Sequence, residues 1–302
     1  MQPVDRNGIF DHLSHDLIIR NYRNLFKTED NIGITEIKMH ADLEGELTDR
    51  LLSTTIRDRF DVFSDAYNRL YRELPWLAGT GTTSGAQMWL SLLRRNSRVY
   101  EIGSGAGYLI NYLAAQGYSC VASELAKDRQ ALAGKTTNEN IVWSLTDGVN
   151  ISKYVDSNYF DYVISDQVIE HMHPDDLLTQ LIEARKILRE GGEYIVRTPY
   201  GPLGPADLSK VFGLDRAIFM HLHEYKLVEL VELCKDAGFH DVYAIFMVPR
   251  TKFSLKSQAY LKYLLGFEQF FFKKHNSVSH KIGRKLHRFL FIRRNIFIGA
   301  KK

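Results

Sequence analysis

Ten residues constrain this 302-residue chain more than any others: Val99-Tyr100-Glu101-Ile102-Gly103-Ser104-Gly105-Ala106-Gly107-Tyr108. Arg98 to Ile102 is apolar and aromatic, as a buried strand is, and three alternating glycines follow. Beyond them Leu109 to Gln116 carries Leu109, Ile110 and Leu113 at helical spacing. A strand that turns through glycine into a helix brings backbone N–H groups and a helix N-terminus against a ligand. A Cβ would block that approach, and such turns require positive φ at some positions, so the turn is glycine. Spacing narrows the ligand. A dinucleotide fingerprint, G-x-G-x-x-G, would put its third glycine at 108, where Tyr108 stands, and this disfavours a nicotinamide dehydrogenase. The pattern here is E-x-G-x-G-x-G.

From Arg98 onward strands and helices alternate. Tyr118 to Ser123 reads as a second strand ending at Glu124, an acid 17 residues after Gly107. That is close to the interval at which a βαβ unit presents a carboxylate to the hydroxyls of a ribose. Asn140 to Trp143 is a short third strand, followed by Asp147-Gly148, which is both turn chemistry and a possible partner for an adenine amino group. Tyr159 to Gln167 is a fourth strand. Ligands of open α/β sheets lie beyond the strands' carboxyl ends, beside strand one, which places Asp166 and Gln167 near the reactive centre. Leu177 to Leu188 reads as an amphipathic helix capped by Gly191-Gly192, then Glu193 to Thr198 as a fifth strand stopped by Pro199.

The glycine pattern, FDYVISDQVIEHMHPDD and EARKILREGGEYIVRTP together resemble class I S-adenosylmethionine (SAM)-dependent methyltransferases, of the type 11/12 family found in many bacterial biosynthetic pathways. The resemblance covers about residues 96–250. It implies an α/β fold with a Rossmann-like seven-stranded sheet, an N-terminal helical cap over 1–95 and a SAM-binding core over 96–250. Residues 251–302 would then be a basic, aromatic helical insertion between the last two strands, plus the last core strand. It also implies SAM as cofactor and S-adenosylhomocysteine as product. The cofactor-binding residues would be Glu101, Gly103, Ser104, Gly105, Gly107, Glu124, Asp147, Gly148, Asp166 and Gln167. Some members carry E-x-x-E-H as a divalent-metal site. Here Gln167 replaces the first acid ahead of Glu170 and His171, which removes an anionic ligand, so no obligatory metal is expected.

Methyl transfer from a sulfonium is an in-line displacement in which the protein positions the nucleophile and, for a hydroxyl, removes its proton. Histidine suits that task. The candidates are His171, just past the fourth strand, and His221 and His223, which close a proline-stiffened loop beginning at Pro199. That loop and its H-x-H-E-Y ending resemble a bacterial subgroup associated with glycan or natural-product assembly. The expected function is O-methylation of a small molecule or of a glycan- or lipid-linked intermediate, with N-methylation second. An RNA methyltransferase and a non-catalytic binding protein are the alternatives.

Charge is unevenly spread. Residues 251–302 hold 13 Lys or Arg and one acid, Glu268, while the preceding 250 carry a net charge of −9. Aromatics (Tyr260, Tyr263, Phe267, Phe270 to Phe272) interleave with these cations. Such a segment fits a membrane surface, an anionic acceptor or a homodimer contact, and less readily nucleic acid; solvated lysines over an aromatic core are the plainer reading. Residues 1–95 read as mostly helical, and the aromatics from Tyr67 to Trp76 as core. The start of the chain lacks an apolar signal region, and two cysteines are too few for a disulfide framework. The expected location is cytoplasmic, with a peripheral position at the inner face of the membrane as the alternative.

Overall fold

A computed structural model describes residues 6, 8–28, 31–78, 83–127, 138–247, 254–275, 277–291 and 295–302. Its centre is one sheet ordered β3-β2-β1-β4-β5-β8-β6-β7. The strands are β1 (Arg98–Ile102), β2 (Ser119–Glu124), β3 (Ile141–Leu145), β4 (Phe160–Asp166), β5 (Leu188–Pro199), β6 (Asp241–Met247), β7 (Ser254–Ser257) and β8 (Asn295–Lys301). β1 to β5 run parallel, whereas β8 pairs antiparallel with both β5 and β6. The chain steps from β1 outward through β2 and β3, then returns to lay β4 on the other side of β1. That is a topological switch point, where open sheets leave a crevice at their carboxyl ends.

The expectation of seven strands is corrected to eight. Ser254–Ser257 adds an antiparallel edge to β6, in the register Ala244↔Ser257 to Met247↔Ser254. Four residues give too short a period to announce a strand; β6's open edge supplies the pairing. Among the described residues the insertion therefore holds this strand and two helices. Gly191-Gly192 is a second correction. The helix Leu177–Ile187 ends at an extended Leu188, and the glycines lie within β5 at a register shift against Phe160 and Tyr162. A Cβ on Gly192 would sit 2.8 Å from the Arg189 carbonyl, so the bulge needs glycine there.

Helices cover both faces. They are α1 (His15–Phe26), α2 (Ile34–Leu52), α3 (Arg59–Glu73), α4 (Pro75–Ala78), α5 (Thr83–Ala86), α6 (Tyr108–Ala114), α7 (Leu177–Ile187), α8 (Leu227–Asp236), α9 (Gln258–Phe271) and α10 (Val278–Phe291). Leu109, Ile110 and Leu113 of α6 pack with Trp89 on Val99, Ala122, Ile164 and Ile195. On the opposite face Leu181, Ala184, Leu230, Val231, Leu261 and Phe267 cover Tyr100, Val163 and Val196. Two smaller cores fix the N-terminal helices. Ile18 and Tyr22 of α1 meet Val211, Phe212 and Phe219 of the loop after β5, and Leu47 and Leu51 of α2 meet Phe63 and Leu70 of α3. Among the described residues no helix is long and apolar enough to cross a membrane.

Glu268 ties the insertion to the body. It is buried on α9, and its carboxylate accepts hydrogen bonds from the Tyr200 hydroxyl (2.7 Å) and from the N–H groups of Leu227 (2.8 Å) and Val228 (3.0 Å) at the start of α8. Glu268→Ala strands these donors. Urea denaturation is expected to show a loss of roughly 3 kcal/mol, since buried donors left unpaired cost about 1–3 kcal/mol each; unchanged stability would show that water takes over the role.

Candidate active site

Gly103, Gly105 and Gly107 all have positive φ, +66°, +55° and +76°. Gly103 has a second constraint: a Cβ there would lie 2.7 Å from Val168 Cγ2. The turn is locked to the neighbouring strand. Ser104 N–H donates to the Ser123 carbonyl (2.8 Å), and Gly105 N–H to Glu124 Oε2 (2.6 Å). Glu124 Oε1 accepts from the N–H groups of Leu125 and Ala126, both at 2.9 Å. Asp147 organises its own turn in the same way, Oδ1 accepting from the N–H groups of Val149 (2.9 Å) and Asn150 (2.8 Å).

These loops open on a cavity of about 490 Å³ at the carboxyl ends of the strands. Gly103, Glu124, Asp147, Gly148 and Gln167 line it, as do His171 and His221. Glu101, Ser104, Gly105, Gly107 and Asp166 do not; they lie behind the lining. Asp166 is ion-paired with Arg197 and accepts from Trp89 Nε1 at 3.0 Å. Glu101 is buried beneath the turn, and its Oε2 has no hydrogen-bond partner among the described residues. Burial, then the nearby Asp166 carboxylate, pushes its pKa up to about 8. His223 is also outside the lining. It pairs instead with Glu229 at 3.3 Å, on the far side of the turn that carries His221.

The rest of the lining comes from segments without a recognisable motif. Phe60, Phe63, Tyr67 and Tyr71 of α3 line the cavity with Phe26 and Met220. Aromatics of this cluster that read as core thus form a chamber wall, and nothing in a helical apolar stripe separates the two roles. Glu44 of α2 lines it too, held by a buried chain: Trp76 Nε1 donates to the Tyr22 hydroxyl (2.9 Å), Tyr22 meets His40 Nδ1 (2.8 Å), and His40 Nε2 meets Glu44 Oε1 (2.8 Å). His40 and Glu44 stand four apart in a helix, a visible but unspecific signal. Arg59 lines the cavity paired with Asp176 at 2.5 Å.

A polar cluster sits at the His171 end. The rings of His171 and His221 meet edge-on with centroids 4.7 Å apart, and Tyr67 stacks edge-on against His171 at 6.3 Å. His171 Nδ1 lies 2.9 Å from the Met220 carbonyl, which only a protonated Nδ1 can satisfy. His221 Nδ1 pairs with Glu224 at 2.6 Å. Burial alone would lower the His221 pKa, but the Glu224 bond and then the Asp207 and Glu170 carboxylates raise it to about 9. Burial drives Asp207 to about 6 and Glu170 to about 7, in each case against the pull of His221. Ligand atoms of Glu170, His171 and His221 lie within 4.8 Å of one another, a spacing a cation could bridge.

A Rossmann-like sheet with a glycine turn at the end of β1 and a cavity across the switch point is the architecture of nucleotide-cofactor-binding α/β proteins. The comparisons define it further. Residues 100–196 match the family described as methyltransferase domain. A protein named as a protein-L-isoaspartate O-methyltransferase, from Opitutus terrae, is 27% identical over 215 residues, 67% of this chain and 85% of that one. Two solved structures share the fold at a TM-score of 0.50. One is phosphoethanolamine N-methyltransferase 2 of Haemonchus contortus, 18% identical, covering 82% of this chain and 60% of that one. The other is a possible histamine N-methyltransferase of Thermotoga maritima, 14% identical, covering 80% and 99%. The matched domain and this relative together support a SAM-dependent methyltransferase.

The His221–Glu224 pair has a definite pH signature. Its folded-state pKa stands above the unfolded 6.5, so its stabilisation is complete below that pH and fades as pH rises through about 9. Glu224→Gln is therefore expected to lower urea stability most on the acid side of neutrality, the gap closing above pH 9. A gap independent of pH would contradict a charged His221.

Proposed function

We propose that this chain binds SAM against the turns after β1, β2 and β3 and methylates a hydroxyl of a small acceptor held between α2, α3 and the loop after β5. One observation carries the reading: Gly103 of the glycine turn and the aromatics of α3 line the same cavity, and His171 lines it with them. Residues 1–95 then act as the acceptor cap, 96–250 as the cofactor core and 251–302 as an accessory segment.

The residues present fit the cofactor. Gly103, at positive φ and closed on Val168, brings bare backbone to the cavity wall. Glu124 and Asp147, although engaged by backbone N–H groups, keep carboxylate lone pairs for ribose hydroxyls and an adenine amino group. Glu101 keeps an unpartnered oxygen, among the described residues, beneath the turn. Ser104, Gly105, Gly107 and Asp166 support this shell from behind, and Gln167 and Gly148 complete the wall. When bound, SAM supplies a methyl group on a sulfonium whose departure leaves a neutral thioether.

His171 suits the base role best. With Nδ1 donating to the Met220 carbonyl, the tautomer set by that bond is the one whose Nε2 would take the hydroxyl proton as the oxygen attacks in line. His221, protonated by its carboxylate neighbours, orients rather than accepts, and His223 lies outside the cavity. The described lining carries five carboxylates, Glu44, Glu124, Asp147, Asp176 and Asp207, against the guanidinium of Arg59 and the His221 imidazolium. That balance suits a cationic cofactor and an uncharged or cationic acceptor with an apolar face, and it weighs against an anionic one.

Calorimetry tests the cofactor half: S-adenosylhomocysteine is expected to bind the wild type and to lose at least about tenfold in affinity in Glu124→Ala. Absence of binding to the wild type would overturn the proposal. With an acceptor found by screening hydroxylated aromatics against labelled SAM, His171→Gln is expected to lower turnover about 10²–10⁴-fold. S-adenosylhomocysteine affinity should stay unchanged in that variant, and EDTA should have no effect on the wild type. Full turnover in His171→Gln would remove the base assignment, and inhibition by EDTA would turn Glu170, His171 and His221 into a metal site.

A further inference from the structure

We infer that the outer face of α10, with the exposed end of α9, docks onto an anionic lipid surface. α10 has two contrasting faces. The inner one is made by His280, Gly283 and His287, all buried. A Cβ on Gly283 would lie 2.5 Å from Phe271 Cβ, so this small residue is the packing contact between the helices. The outer face carries the large aliphatics. Val278, Ile282 and Leu286 recur every fourth residue and are 76%, 47% and 37% exposed. An ordinary amphipathic helix buries such a stripe; here it points to solvent, with exposed Lys281 and Lys285 along its flank. At the end of α9 Phe270 is 73% exposed, and Lys273 and Lys274 beyond it are exposed as well.

The charge of this surface has one sign. Glu268, the only acid in residues 251–302, is buried in the protein and holds Tyr200 and the start of α8. The segment's exposed face therefore presents cations and apolar side chains with no carboxylate among the described residues. An anionic bilayer surface is complementary to both: aliphatics enter the boundary between headgroups and acyl chains, while lysines meet the headgroup charge. Nucleic acid would match the lysines and leave Val278, Ile282 and Leu286 without a role. A second copy would set the same cations against one another.

Co-sedimentation of the full chain with vesicles tests this. Binding is expected to vesicles of phosphatidylcholine containing about 30% phosphatidylglycerol and not to phosphatidylcholine alone, and to weaken with salt. Two double variants, Ile282→Asp with Leu286→Asp and Lys281→Glu with Lys285→Glu, should each reduce it at least about tenfold, with melting temperature and S-adenosylhomocysteine binding unchanged. These positions are exposed, so the variants should fold. No binding to anionic vesicles, or binding that survives both variants, would overturn the inference. So would a homodimer broken by the aspartate pair, or single-stranded RNA binding lost only in the glutamate pair while vesicle binding is absent.

Discussion

The Glu124 carboxylate accepts three backbone N–H groups, and much of the site depends on that arrangement. One comes from Gly105, in the turn after β1, and two from Leu125 and Ala126, just beyond β2. Hydrogen bonds to a charged acceptor are stronger than neutral ones, and at this nearly buried position the alternative is unpaired donors. A single side chain therefore sets the conformation of two adjacent loops. Positive φ at three glycines makes the turn possible, and the carboxylate makes it definite. A cofactor that meets this wall finds the loops already ordered, which lowers the entropic cost of binding.

The opposite wall is assembled from parts remote in sequence. α1 and α2 are held to the loop after β5 by apolar packing on Phe212 and Phe219, and Arg6 donates to the Ile218 carbonyl (2.8 Å) and to Asp49 (2.9 Å). The same loop brings His221 and Asp207 to the cavity. Closing the chamber and placing its polar groups are thus one packing event. Its buried groups are coupled: Glu224, Asp207 and Glu170 each raise the His221 pKa, and removing any of them would lower it.

The parallel sheet was legible because each strand is a short apolar run bounded by glycine or an acid, and the E-x-G-x-G-x-G spacing marked a turn that reaches the cavity through Gly103. The pair Gly191-Gly192 misled, since a glycine after a helical stretch reads as a cap, whereas the pairing of Leu188 with Phe160 extends β5 backwards through it. Ser254–Ser257 escaped notice because an edge strand of four residues is defined by its neighbour, not by its own pattern. The same holds for the chamber. Tyr67, Tyr71 and Glu44 carry no spacing that distinguishes a cavity wall from a helix interface, and His223 looked equivalent to His221 until the turn aimed them in different directions.

The central claim is that one cavity holds the cofactor at the glycine turn and the acceptor beneath α2 and α3. A crystal structure of the complex with S-adenosylhomocysteine tests it most directly. The account predicts the adenosine against Gly103, Glu124, Asp147 and Gly148, with the homocysteine sulfur toward His171 and the aromatic chamber beyond it open. Product lodged between Phe63, Tyr67 and Tyr71, or bound away from the carboxyl ends of β1 and β2, would contradict it.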